Sequence, residues 1–319
     1  QDLELMEKNT ANIKKAVVVG GGLIGVEMAE MLHSRGIKVD YLIREDNFWG
    51  NVLPKVDGDF IANHLKNDHE INLHFNTELE FIGGDSKQNV TSVFTSHGNE
   101  IKCDFVGLTV GVSPNIELVK QTKIETKLGV LVNKKFETNI ENIYAIGDCA
   151  EFTNPVKGRK PIEQVWYTGR IMGETLAKIL CGKNVEYNPG PWFNSAKFFD
   201  IEYQTYGVVP NKLEPNQNEF IWKDEKNRRL IHLVFEQETE KFLGINSFGI
   251  RLRHEIFDAW LTKGKTINYC LAHFEDANFD PEFYKAFSYD FVDAFNKKFG
   301  KSIKVKRKSW LRILNPLAS

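Results

Sequence analysis

Residues 15–32 read Lys15-Ala-Val-Val-Val-Gly20-Gly-Gly-Leu-Ile-Gly25-Val-Glu-Met-Ala-Glu-Met-Leu32, and their order decides the fold of the first hundred residues or so. An apolar run, Ala16–Val19, is followed by G-x-G-x-x-G at Gly20–Gly25 and then by a helix-forming run, Val26–Leu32. A lone glycine pattern says little, but between a strand and a helix it reads as a dinucleotide-binding turn. Gly20 permits the tight turn, Gly22 lets the backbone approach a pyrophosphate, and Gly25 lets helix and strand pack closely. Leu23 and Ile24 complete the turn, where the helix N-terminus offers free N–H groups and a positive dipole end to phosphates.

Working outward, residues 11 to about 115 alternate between strands and helices. The pattern predicts strands at Val39–Ile43, Asn72–Phe75, Val90–Thr95 and Phe105–Val110, a helix at Asp57–Lys66, and turns at Gly83-Gly84 and His97–Asn99. Strands Val130–Val132 and Ile143–Ile146 come next, then a helix from Ile162 to Leu180. Beyond Tyr187 the chain is strand-rich, with runs at Phe198–Tyr206, Glu219–Trp222, Leu230–Phe235 and Phe242–Ser247, and ends in helices at Arg251–Leu261 and Pro281–Phe299. The expected fold is α/β: a Rossmann-like NAD(P)-binding domain, a partial FAD-binding domain and an α+β C-terminal domain.

Composition narrows the function classes. A chain of 319 residues has room for two or more domains. Its net charge of −2 argues against a nucleic-acid partner. Cys103, Cys149, Cys181 and Cys270 lie far apart, without zinc or disulfide-framework spacing. His69 and His74 read as surface residues, and no metal site is expected. No apolar run has the length of a membrane span and no signal peptide is visible, so a cytoplasmic protein is expected.

Three stretches taken in order carry a family resemblance: Gly20–Gly25, then Gly111-Val112-Ser113-Pro114-Asn115, then Ile143-Tyr144-Ala145-Ile146-Gly147-Asp148. The series resembles the pyridine nucleotide-disulfide oxidoreductase superfamily, in which an NAD(P)H-binding domain is inserted into an FAD-binding domain. Pro191-Trp192-Phe193 and Asp200–Gln204 are similar to the start of the C-terminal domain in the branch holding ferredoxin reductases, nitrite reductases and apoptosis-inducing factor. The resemblance implies domains at 11–115 (NAD(P)H-binding), 116–185 (partial FAD-binding) and 186–300 (C-terminal), with a basic tail at 301–319. The family's own N-terminal FAD fingerprint has no counterpart before Gly20, so the sequence is read as a reductase lacking that segment.

By the same resemblance, Gly111 marks the return from the inserted domain, Gly147 lets the flavin chain pass, and Asp148 bonds a ribityl hydroxyl. Gln164 and Trp166, at the start of the following helix, would lie against the isoalloxazine ring; core packing of Trp166 is the competing reading. Glu27, placed on the first helical turn, would bond the nicotinamide carboxamide or simply complement the helix dipole. Strand two ends Ile43-Arg44-Glu45-Asp46, and Arg44 could pair with a 2′-phosphate, a slight lean to NADPH that the two acids oppose. The expected cofactors are FAD and NAD(P)H. Cys149 reads as a packing residue.

The expected activity is hydride transfer from NAD(P)H to flavin, with electrons passed to an unidentified acceptor, either a small electron-carrier protein or a small molecule, in an enzyme that could form a homodimer. Without the N-terminal FAD segment the chain could be inactive alone, or the remaining flavin site could suffice. The tail residues Lys304, Lys306, Arg307, Lys308 and Arg312 could dock an acidic carrier or a membrane surface, or be a solvated terminus. Two rivals remain: an NAD(P)H-binding regulatory or scaffold protein without useful turnover, and a flavin-free dehydrogenase, for which no acid–base residue stands out.

Overall fold

The computed structural model describes residues 2–156, 158–279 and 287–306. Helix α1 (Asp2–Asn9) precedes strand β1 (Lys15–Val19), helix α2 (Leu23–Ser34), strand β2 (Lys38–Leu42), helix α3 (Lys55–Asn67) and strand β3 (Asn72–His74). An antiparallel meander, β4 (Leu79–Gly84), β5 (Val90–Thr95) and β6 (Glu100–Lys102), leads into β7 (Phe105–Leu108). The order β3-β2-β1-β7 with parallel pairing is a Rossmann half, and β1 lies where the strand order reverses. Ala16, Val17 and Val18 are fully buried, as a strand covered on both faces requires. On α2 the residues Gly25, Val26, Ala29 and Leu32 form one buried stripe at helical spacing.

The Gly83-Gly84 turn is a correction, because both glycines belong to β4. The reversal comes at Asp85, whose carboxylate accepts the amides of Lys87 and Asn89 at 2.9 and 2.8 Å. An Asx turn of this kind outcompetes glycine as the turn former.

Between residues 112 and 194 lie β8 (Val130–Val132), β9 (Ala150–Phe152) and α4 (Trp166–Leu180), around a small core of Val132, Phe136, Ala150, Phe152, Met172 and Tyr187. The predicted strand Ile143–Ile146 is absent. Tyr144 makes one isolated bridge to Glu137, and Gly147–Cys149 is a 3-10 turn. Left-handed residues at Asn142 (φ 61°) and Gly147 (φ 80°) bracket the segment and break the extended backbone on either side of it. Helix α4 starts at Trp166 rather than Ile162, because Val165 is extended (φ −134°, ψ 133°). The Glu163 carboxylate is meanwhile held by Arg159 through two bonds of 2.6 Å.

The C-terminal sheet has the order β10-β11-β14-β13-β12, from β10 (Phe193–Phe198), β11 (Ile201–Gly207), β12 (Gln217–Asp224), β13 (Arg229–Glu236) and β14 (Phe242–Phe248). The single strand expected at Phe198–Tyr206 is broken by a turn at Phe199-Asp200, where buried Phe199 takes φ 57°. Helices α5 (His254–Thr262), α6 (Ile267–Ala272) and α7 (Ser288–Phe299) follow. The first residues of the helix expected at Pro281–Phe299 lie outside the described residues, as do Arg307, Lys308 and Arg312 of the tail.

The chain divides into two compact units, one of residues up to Gly111 with those from Ser195 on, the other Val112–Asn194. Within the first, a single apolar core runs from Val18, Leu32 and Ile61 to Phe198, Ile201, Tyr203 and Phe248. The C-terminal sheet therefore shares its core with the Rossmann half. Asp57 of α3, fully buried, strengthens that junction by accepting from Asn246 at 2.7 Å and meeting His232 Nδ1 at 2.9 Å. Burial alone would lower the His232 pKa, but hydrogen bonds and charge from Asp57 and Glu219 overcome this and raise it above the ordinary histidine value.

Candidate functional site

The glycine turn sits at the carboxyl ends of β1, β2 and β7, the edge where open α/β sheets bind ligands. Gly20 is left-handed (φ 114°), and a side chain there would drive into the Thr109 carbonyl oxygen at 2.4 Å. A methyl on Gly25 would meet the Gly20 carbonyl oxygen at 2.2 Å and the Tyr41 hydroxyl at 2.3 Å. Gly22 differs. A Cβ there would have no neighbour within 4 Å among the described residues.

Gly22 is also the N-cap of α2, with no side chain capping the helix among the described residues. First-turn amides left without side-chain partners, together with the dipole, make an anion site open to a phosphate. Leu23 and half-exposed Ile24 form that first turn. Glu27 is exposed and lies in the second turn, because α2 begins at Leu23; the first-turn placement is a correction, and the helix dipole gives little reason for an acid there.

Two residues that the sequence reading passed over hold this turn from behind. The Tyr41 hydroxyl donates to the carbonyl oxygen of Gly20 at 3.0 Å, with Gly22 O at 3.3 Å. Thr109 Oγ1 donates to Val19 O at 2.8 Å and approaches Gly20 O at 3.2 Å. Tyr41 is fully buried, and desolvation, with the Glu45 charge, pushes its phenol far above the usual range, so it stays a donor. Its sequence signal was a polar-tipped aromatic in the strand Lys38–Leu42 that follows the glycine turn.

Arg44 follows β2, exposed, with Nη2 3.1 Å from Glu45 Oε1. Buried Ile43 packs beneath Gly21. Gly111 is left-handed (φ 105°) with open space around its Cα.

In the second unit, Gly147 (φ 80°) has no neighbour among the described residues within 4 Å of where a Cβ would stand, and its amide points to Met172 Sδ at 3.3 Å. Asp148 and Gln164 are exposed. Trp166, at the first position of α4, is 70% exposed, which removes the core-packing reading within this unit. Its ring touches Tyr167 edge-on at 5.3 Å and lies under Arg170 at 5.8 Å. Cys149 is half-buried beside Ile146 O, without a sulfur partner.

Residues 1–173 match the family described as pyridine nucleotide-disulphide oxidoreductase. The chain belongs to this family.

Among its relatives is the NAD(P)H sulfur oxidoreductase (CoA-dependent) of Pyrococcus furiosus, 30% identical over 279 residues, covering 82% of this chain and 61% of the relative. A rubredoxin-NAD(+) reductase of Acinetobacter baylyi is 36% identical over 140 residues, 43% of this chain and 35% of that protein. The solved structure of an NAD-dependent persulfide reductase from A. fulgidus superposes with a TM-score of 0.76 at 20% identity, covering 99% of this chain and 66% of that one, and shows the same fold. The chain spans about half the length of the relatives it matches.

His69 and His74, expected on the surface, are corrections. Their side chains are 21% and 29% exposed and both are engaged, His69 with Asp200 and His74 with Asp40.

Proposed function

We propose that this family member works in hydride transfer from NAD(P)H to FAD, with electrons passed to a small electron-carrier protein or a small-molecule acceptor. The observation that carries the reading is the contrast at the glycine turn: Gly20 and Gly25 are walled in by protein, whereas Gly22 faces open space at an uncapped helix N-terminus. That space suits a pyrophosphate, and a side chain would fill it. When bound, the two cofactors supply the redox chemistry itself.

In this reading residues 11–115 bind NAD(P)H, 116–185 contribute part of the flavin site, and 186–300 form the C-terminal domain. Leu23, Ile24 and Gly25 present α2 amides to the dinucleotide, Glu27 reaches its nicotinamide end, and Arg44 the adenosine ribose. Gly111 gives the chain its turn between the two cofactor sites. Gly147 admits the flavin side chain, Asp148 accepts from its ribityl hydroxyls, and exposed Gln164 and Trp166 line the ring. A relative named for rubredoxin supports a small carrier protein as acceptor. A homodimer and a cytoplasmic location complete the proposal, the first checked by light scattering and the second by fractionation.

The test is a visible absorption spectrum of the purified chain with FAD, before and after NADPH. A bound flavin band that bleaches on adding NADPH supports the proposal. Quenched tryptophan fluorescence with dinucleotide but no flavin band favours the binding module without turnover. No response to either cofactor overturns both.

A further inference from the structure

His64 near the end of α3, His69 just beyond it and Asp200 in the β10–β11 turn bring three ligand atoms to one point. His64 Nε2 lies 2.6 Å from Asp200 Oδ1, His69 Nε2 lies 2.8 Å from the same oxygen, and the two Nε2 atoms are 3.1 Å apart. The other nitrogen of His64, Nδ1, lies 2.7 Å from Asp68 Oδ2.

Counting protons shows what this arrangement lacks. A carboxylate only accepts, so His64 Nδ1 carries the proton it shares with Asp68, and the Nε2 of a neutral ring is then a bare lone pair. That lone pair faces a carboxylate oxygen at 2.6 Å, acceptor against acceptor. A second proton on His64 would let Nε2 donate to Asp200 Oδ1, the oxygen that His69 Nε2 also reaches, so a proton and a cation are the two ways to hold these atoms together. A cation at the common point satisfies all three atoms at once.

We propose that His64, His69 and Asp200 form a site for a divalent transition-metal ion of the zinc class. The donor set, two imidazole nitrogens and one carboxylate oxygen, is one that Zn2+ and its neighbours Co2+ and Ni2+ accept. Ligands on a tetrahedral zinc stand roughly 3.3 Å apart for bonds near 2.0 Å, so the three atoms need to move outward by only a few tenths of an ångström. Asp68 is the outer carboxylate that fixes ring orientation and tautomer in such sites.

The surroundings fit. The His64 side chain is 3% exposed and held by packing, while Asp200 at 55% opens the site to solvent. Buried Phe199 (φ 57°) fixes the turn and packs on His69 at 4.4 Å between ring centres. Arg228 reaches Asp200 Oδ2 at 3.2 Å and Asp68 Oδ1 at 3.0 Å, leaving Asp200 Oδ1 for the ion. His64, Asp68 and Arg228 also line a hollow beside the site. The bound ion would tie α3 of the Rossmann half to the C-terminal sheet, with a fourth position left for water.

The experiment uses the purified chain, stripped with chelator and titrated with Co2+ alone. One equivalent is expected to give the visible d–d bands of a tetrahedral centre, and Zn2+ to displace them and raise the melting temperature. Asp200→Ala and His69→Ala should abolish the bands while circular dichroism stays native. Asp68→Asn should weaken Co2+ binding at least about tenfold, the cost of losing an outer-shell partner, and His74→Ala should leave it unchanged. The proposal is overturned if no band develops, if the bands survive Asp200→Ala, or if NMR shows His64 as a metal-free imidazolium in the presence of Co2+.

Discussion

Around Gly20–Gly25 the space behind the backbone is filled, by Thr109 against Gly20, by Ile43 against Gly21, and by Tyr41 and Thr109 against Gly25. Around Gly147 a Cβ would meet nothing within 4 Å among the described residues, the turn being held by the Gly147 amide on Met172 Sδ, the Ala150 amide on Gly147 O and the packing of α4, with Asp148 turned to solvent. The first turn is shaped in advance by its own surroundings, with space left open at Gly22 among the described residues. The second presents groups and little enclosure, so its ligand must supply much of the ordering. Preorganisation of the first kind lowers what binding costs, and its absence in the second raises it.

Gly25→Ala should break the first turn. The added methyl would stand 2.2 Å from a carbonyl oxygen and 2.8 Å from Thr109 Oγ1, with backbone that cannot retreat. Overpacking of this kind should destabilise by about 2–3 kcal/mol in denaturant unfolding and remove dinucleotide binding as well. Gly147→Ala, with only left-handed strain to bear, should cost about 1–2 kcal/mol. Equal losses at the two sites would mean that the walls around Gly25 give way.

Gly22→Val separates binding from folding inside one turn. Its φ of −97° and ψ of −174° suit any residue, so stability should fall only by the loss of a favoured N-cap residue, about 1 kcal/mol. The side chain would instead occupy the pyrophosphate's place and abolish NAD(P)H binding in a fluorescence titration. Unchanged affinity would remove the nucleotide assignment of the turn.

The two units also differ in the charges they bury. In the first, Asp57, His232 and Glu219 hold the Rossmann half to the C-terminal sheet; in the second, Arg159 and Glu163 pair through a guanidinium that keeps its charge. The folded-state pKa of His232 lies above the unfolded value of 6.5, so the protonated ring binds its proton more tightly in the native state. Its stabilising contribution is whole below 6.5 and is lost as pH rises through the folded pKa. Denaturant unfolding should therefore show the first unit weakening as pH rises above 6.5, and His232→Gln should flatten that slope. A slope that survives the substitution would assign the effect to another group.

The Rossmann half was legible because its information is local: apolar runs, glycines at fixed offsets and a helix of regular stripe all lie within twenty or so residues of one another. The segment Ile143–Ile146 was misread as a strand because apolar composition suits either outcome, and the left-handed backbone of Asn142 leaves no mark in composition. Tyr41 and Thr109 could not be placed behind the turn, since β2 and β7 meet β1 only once the sheet is assembled. His64, His69 and Asp200 escaped for the same reason: no local spacing joins α3 to a turn well over a hundred residues later. What the sequence carries well is periodicity; what it hides is which distant side chains share one point.

The smallest effect belongs to the rim of the first turn. The Arg44 side chain is 73% exposed and bonded to Glu45, so a 2′-phosphate must win the guanidinium from a carboxylate already in place. An exposed ion pair of this kind is worth about 0–1 kcal/mol, which limits any NADPH preference to about a few-fold. Arg44→Glu would set two carboxylates side by side at the ribose end, and NADPH affinity should then fall more than NADH affinity. The gap should narrow as salt is added, since both charges face solvent. Equal losses for the two nucleotides would show that Arg44 only serves Glu45, and that the turn takes its dinucleotide without reading the 2′ position.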